Sequence, residues 1–146
     1  MIIAIDPGNV ESAYCIIDKD LTPVEFAKVK NEELLMMLEV ATYEMQTVIE
    51  MIASYGMAVG KEVFETCLWI GRFDHASANP AELVYRKDVK MHICGNTRAK
   101  DANIRQALID RFGPVGTKKE KGHFYGFKSD IWSAYAVGIT YLEARR

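Results

Sequence analysis

Several things are scarce or missing in this 146-residue chain. No apolar run approaches the roughly 20 residues that a membrane-crossing helix needs. The N-terminus carries neither the basic stretch nor the small-residue cleavage site of a secretory signal. There are three cysteines, Cys15, Cys67 and Cys94. They are odd in number, scattered, and spaced for neither a disulfide framework nor a zinc site. Each lies in an apolar stretch, so all three are expected to be reduced core thiols. Repeats, linkers and low-complexity segments are also missing. These absences exclude a membrane span, a disulfide scaffold and a solenoid, and the expected location is cytoplasmic.

What is present is ordinary in bulk and uneven in layout. Apolar residues make up 49% and charged residues 26%, as in a typical soluble domain. The length suits one domain over 1–146 with a sizeable core. The net charge of -2 hides an asymmetry. Residues 1–85 hold five Lys/Arg against fourteen Asp/Glu, whereas residues 86–121 hold ten against four. A basic block of this kind is the electrostatic footprint of a polyanion site, or else a solvated face.

Hydrophobic patterning predicts strands over 2–6, 13–18 and 24–29, joined by short polar turns as an antiparallel meander. Asn31 is expected to cap a helix with Glu32 and Glu33 in its first turn, where the dipole favours acids. Leu34, Leu38, Ala41 and Met45 supply its apolar stripe. Residues 47–52 read as a central strand, 56–72 as a helix with Val63, Cys67 and Ile70 inward, and 82–86 as a fifth strand. A helix over 99–112 stops at Gly113-Pro114. Residues 115–126 read as a flexible basic loop, and Ser129 as the cap of a last helix running to about Ala144. The fold class is therefore α/β: a five-stranded mixed sheet, antiparallel meander plus parallel strands, flanked by helices.

Three acids stand out from this pattern. Asp6 closes the first apolar run and is followed by Pro7-Gly8, one fixed and one permissive backbone angle, which either form an ordinary turn or hold the acid at a lip. Glu50 interrupts the nearly all-apolar fourth strand, where an unpaired ionised acid would cost several kcal/mol, about 2–7 even for a neutral polar group. It is either compensated, a bound cation being one means, or sits at an exposed strand end. Asp130 opens an apolar helix, where the N-terminal dipole stabilises its charge. If the first and fourth strands are adjacent and parallel, Asp6 and Glu50 emerge side by side and the last helix brings Asp130 opposite. Converging carboxylates prefer a hard divalent ion, Mg2+ or Mn2+. Two such ions would serve phosphodiester hydrolysis.

Ile3-Ala4-Ile5-Asp6-Pro7-Gly8 resembles the opening strand of RuvC-type Holliday junction resolvases, in the RNase H-like superfamily. Val48-Ile49-Glu50 resembles that family's fourth-strand acid, and Lys128 to Thr140 its terminal helix. Arg86 to Lys90, Gly95 and Ala99-Lys100 resemble its strand-five exit and paired lysines. The order and spacing extend over nearly the whole chain. The resemblance implies a Mg2+-dependent endonuclease (Mn2+ substituting, two ions expected) that nicks four-way DNA junctions as a homodimer, from a bacterial or phage gene. It gives Asp6, Glu50 and Asp130 the metals and puts Lys90 near the scissile phosphate. Lys100 would start a helix beside it. Arg98, Arg105, Lys118, Lys119 and Lys121 would extend the DNA surface, and Tyr55 would stack on bases at the junction centre. Subunits would pair through the helix at 56–72, with Leu68, Trp69 and Phe73 as either interface or core.

One position departs from the pattern. Three residues before the last aspartate the family carries an acid or a histidine, and here stands Phe127, which cannot bind a metal. Another residue substitutes, with His123 the leading candidate, or the second metal is held more weakly. Otherwise the site is degraded and the chain is a branched-DNA-binding module that does not cut. A further alternative is an RNase H-like nuclease acting on hybrids or flaps.

Overall fold

The structure, a computed structural model, describes every residue except Thr42 and Arg146. Its centre is a five-stranded mixed sheet in the order β3-β2-β1-β4-β5. The strands are β1 (Ile2–Asp6), β2 (Glu11–Ile17), β3 (Pro23–Lys30), β4 (Gln46–Met51) and β5 (Glu82–Tyr85). β1 runs antiparallel to β2 and parallel to β4, so the first strand of the chain lies in the middle of the sheet. Burial on both faces explains why Ile2 to Ile5 is a continuous apolar run rather than an alternation.

The two-residue strand period divides this run between two cores. Ile2 and Ala4 of β1, Ala13, Cys15 and Ile17 of β2 and Val48 of β4 point to one face. That face is covered by α5 (Ile131–Ala144), with α3 (Arg86–Cys94) and α4 (Asp101–Phe112) around it. Ile3, Ile5, Tyr14 and Ile49 point to the other face, under α1 (Asn31–Val40) and α2 (Lys61–Ala76). Helix α5 sits unusually close to the sheet. A Cβ on Gly138 would come within 2.3 Å of Ile17 Cδ1 and 3.0 Å of Ala4 Cβ, so glycine is what permits this approach.

Several local expectations are corrected. Asn31 is the first residue of α1, not its cap; Lys30 holds the cap position. The Asn31 side chain is fully buried and is used elsewhere, as described below. Helix α2 begins at Lys61 rather than 56. The start moved because Ser54 to Met57 closes into a turn, with Tyr55 and Gly56 both at positive φ. Thr66, Ile70 and Phe73 are its buried residues, so Cys67 is exposed, not a core thiol; Cys15 is buried and Cys94 half-buried.

The expected fifth strand ends at Tyr85, and Arg86 to Cys94 form a helix, α3, that periodicity did not reveal. Val89 is its only buried residue, and a single anchor leaves no stripe to read. Ser129 is not the cap of α5: Asp130 occupies that position, and Ser129 lies just before it at φ 51°. The segment 115–126 is folded rather than a loose loop. Gly116 and Lys121 form an antiparallel bridge, and Gly122 N donates to Val115 O at 2.9 Å.

Candidate active site

Register decides where the acids go. Asp6 continues the Ile2, Ala4 row and Glu50 continues the Val48 row, so both face α5 at the C-terminal ends of adjacent parallel strands. The turn that ends β1 is braced from within. Gly8 N donates to Ser12 Oγ at 3.0 Å, Ser12 Oγ donates to Asn31 Oδ1 at 2.6 Å, and Asn31 Nδ2 donates to Gly8 O at 2.9 Å. Any side chain at position 8 would strike the Glu11 carbonyl, 2.2 Å from an added Cβ. This closed network satisfies the buried Ser12 and Asn31 side chains and braces the part-buried turn that follows the acid.

Asp130, at the N-terminus of α5, completes the edge from above. The three acids act on one another. Burial, then the charges of Glu50 and Asp130, push the Asp6 carboxyl up to about 8, against a lowering by Arg86. Burial likewise raises Glu50, opposed chiefly by Arg86. Glu50 is buried, so the exposed strand end does not hold, and Arg86 offsets the burial only in part.

Two internal cations stand among these acids. Arg86, the first residue of α3, lies 3.8 Å from Glu50 and forms a close pair with Asp101 of α4. Lys28 of β3 donates to Asp130 at 2.7 Å. Among the described residues no three His, Cys, Asp or Glu side chains close to metal-holding distance. The donor set nevertheless fits a hard divalent ion. It is all carboxylate oxygen, and burial together with the charges of Glu50 and Asp130 disfavours the ionised form of Asp6, a cost that a bound cation would relieve.

The remaining expected residues separate into groups. Tyr55 and Lys90 line one cleft with Arg86, Lys87 and Thr97, about 280 Å³ in volume. Arg86 and Lys90 share a face of α3 at i, i+4, and the Lys90 charge is felt at Glu50. Lys100 caps α4, its backbone N–H bound to Asn103 Oδ1 at 2.9 Å, with its side chain exposed. Arg98 is exposed nearby, its own N–H donated to Asn96. Arg105 lines a small cleft with Asp101 and Asp130, its guanidinium over the Trp132 ring. Lys118, Lys119 and Lys121 lie on the bridged turn, Lys121 over the Tyr125 ring.

His123 is not with the acids. Its ring stacks on Phe112, and its Nε2 lies 2.9 Å from the Tyr135 hydroxyl. That hydroxyl donates its one hydrogen to Leu21 O, so His123 Nε2–H is the donor to it. Burial holds this histidine below its ordinary pKa. Phe127 is in the core, against Phe26, Phe124, Trp132 and Tyr135. Reasoning from sequence missed Lys28 and gave Arg86 no role at the acids. The one available signal was for Lys28: its alternation with Phe26 puts it on the α5 face of β3.

A central parallel pair, an antiparallel extension on one side, and a C-terminal helix over the acid edge define an RNase H-like fold. The fold is that of RuvC. Thermus thermophilus RuvC in complex with a Holliday junction substrate superposes with a TM-score of 0.65 at 14% identity, covering 99% of this chain and 94% of that one. A second structure of Thermus thermophilus RuvC superposes with a TM-score of 0.67, again at 14% identity, covering 99% and 95%. No family model matches the sequence, and no curated protein matches it.

Proposed function

We propose that this chain is a metal-dependent endonuclease that resolves four-way DNA junctions by paired nicks, working as a homodimer. What supports this reading is that Asp6 and Glu50 end adjacent parallel strands on the α5 face, with the charge of Asp130 felt at both, beside a cleft of Arg86, Lys87, Lys90 and Tyr55. That one of the two RuvC structures of the same fold holds a Holliday junction supports branched DNA as the substrate.

Asp6 and Glu50, with Asp130 opposite, would hold Mg2+ or Mn2+. When bound, such an ion supplies Lewis acidity for the attack of water on a phosphodiester. The chain's own side chains do the rest. Lys90 offers a mobile positive charge to a phosphate in the cleft, and Arg86 opposes the protonation of Glu50 that burial favours. Tyr55, exposed and set by its left-handed backbone, presents a ring to an unstacked base. Lys100, Arg98, Arg105 and the turn lysines 118, 119 and 121 extend the phosphate-binding surface. The dimer would form through α2, where Phe64 and Leu68 are 64% and 56% exposed.

Asp6→Asn is expected to abolish Mg2+-dependent cutting of a synthetic four-way junction while junction binding persists in a gel-shift assay. Undiminished cutting by this variant would remove the proposal. A second reading, a junction-binding module that does not cut, is favoured by Phe127 in the core and by the Lys28–Asp130 pair. Such a module would shift the junction and never nick it. Faster turnover of an RNA–DNA hybrid or a flap would instead indicate another RNase H-like activity.

A further inference from the structure

Lys28, Ala13 and Asp6 are in register across three strands, Asp6 opposite Ala13 and Ala13 opposite Lys28. All three lie on the α5 face, and the small side chain between them leaves room for the lysine to reach towards the helix. Its Nζ meets Asp130 Oδ2 at 2.7 Å. With side chains 38% and 47% exposed, this ion pair contributes little to stability. Helix α5 does not need it as an anchor, being held by buried residues from Ile131 to Thr140.

Neither position considered for a further ligand to a second ion supplies one. Phe127 is enclosed by aromatic rings, and His123 spends its Nε2–H on Tyr135. The other two acids, Asp6 and Glu50, end adjacent parallel strands on the same face of the sheet.

We propose that the Lys28 ammonium takes the place of a second divalent ion, so that the site accepts one ion, at Asp6 and Glu50, with a fixed organic cation at Asp130. This rests on the metal-dependent reading above and narrows it. An ammonium supplies positive charge and hydrogen bonds to a phosphate oxygen but no Lewis acidity. The Asp130 side of the site therefore stabilises charge without activating water.

The test is the number of Mn2+ ions bound per chain, read by electron paramagnetic resonance and calorimetry on the metal-free full chain without DNA. The wild-type protein is expected to bind one. Lys28→Met, which frees Asp130, is expected to bind a second, Lys28→Arg to remain at one, and Glu50→Gln to bind at least tenfold more weakly. Urea midpoints establish that each variant is folded, and the wild-type count keeps the test intact if the methionine variant is not. Two ions on the wild-type chain, or an unchanged count in Lys28→Met, would overturn the proposal while leaving metal-dependent cutting standing. Failure of the wild-type chain to bind Mn2+ at all would overturn both.

Discussion

Asp6 holds a proton that an ordinary aspartate loses near pH 4, and the reason is its position. Its carboxyl is pushed up to about 8 by burial and by the neighbouring acids. For an acid whose folded pKa is raised, the unfolded chain gives up its proton first. The metal-free protein therefore loses stability as pH rises from about 4 to about 8, and the penalty is complete above that window. Asp6→Asn is expected to match the wild type at pH 4 and to exceed it by a few kcal/mol at pH 8, as read by urea denaturation without metal. Asn31 shows the opposite economy, since its buried amide serves Ser12 and Gly8 together. Asn31→Ala removes the partner of the buried Ser12 hydroxyl and of the part-buried Gly8 carbonyl and is expected to cost about 1–3 kcal/mol. Because the same network braces the turn after Asp6, the variant should also bind Mn2+ more weakly.

Among the elements, α5 does most to bring the site together. It lies across β1, β2 and β4 with nine buried residues and carries Asp130 to the edge where β1 and β4 end. The approach depends on Gly138, which faces Ile17, Ala4 and Ile2. A leucine at that position has no free volume to occupy. Gly138→Leu is expected to destabilise the domain by about 1–3 kcal/mol or more, from overpacking, read as a lowered urea midpoint. Helix α3 contributes differently, by placing Arg86 and Lys90 on one face between the acids and the solvent. Its outer end is tied through His92 to Glu143 of α5, at 2.8 Å, and Arg111 of α4 pairs with the same carboxylate at 2.7 Å. Glu143 thereby joins three helices.

At the scale of the whole molecule, the basic block of residues 86–121 supplies the cleft beside the acids and the helix that follows it, whereas α1 and α2 expose Met36, Val40, Phe64 and Leu68. Phe73 is in the core and Trp69 packs partly against it, so of the three candidates only Leu68 is free to meet a partner. Leu68→Glu is expected to convert a dimer into a monomer in sedimentation, with a fall in paired nicking relative to single nicking. Among the described residues no helix is long and apolar enough to cross a membrane.

Much of the architecture could be read in the chain because it rests on local patterns. Five strands, a buried first strand and a terminal helix follow from apolar runs, turn residues and periodicity, which are properties of neighbours in sequence. Asp6, Glu50 and Asp130 stood out for the same reason, each breaking or ending an apolar segment. Helix α3, the late start of α2 and the burial of Asn31 were not legible. Each depends on partners far along the chain: Val89 against the core, the turn at Tyr55, and Ser12 with Gly8. Long-range packing likewise sent His123 to Tyr135 and Phe127 into an aromatic cluster. It also brought Lys28, 102 residues away, onto Asp130. One chain position can place a charge on a sheet face; which opposite charge it meets depends on register across strands and on the helix laid over them.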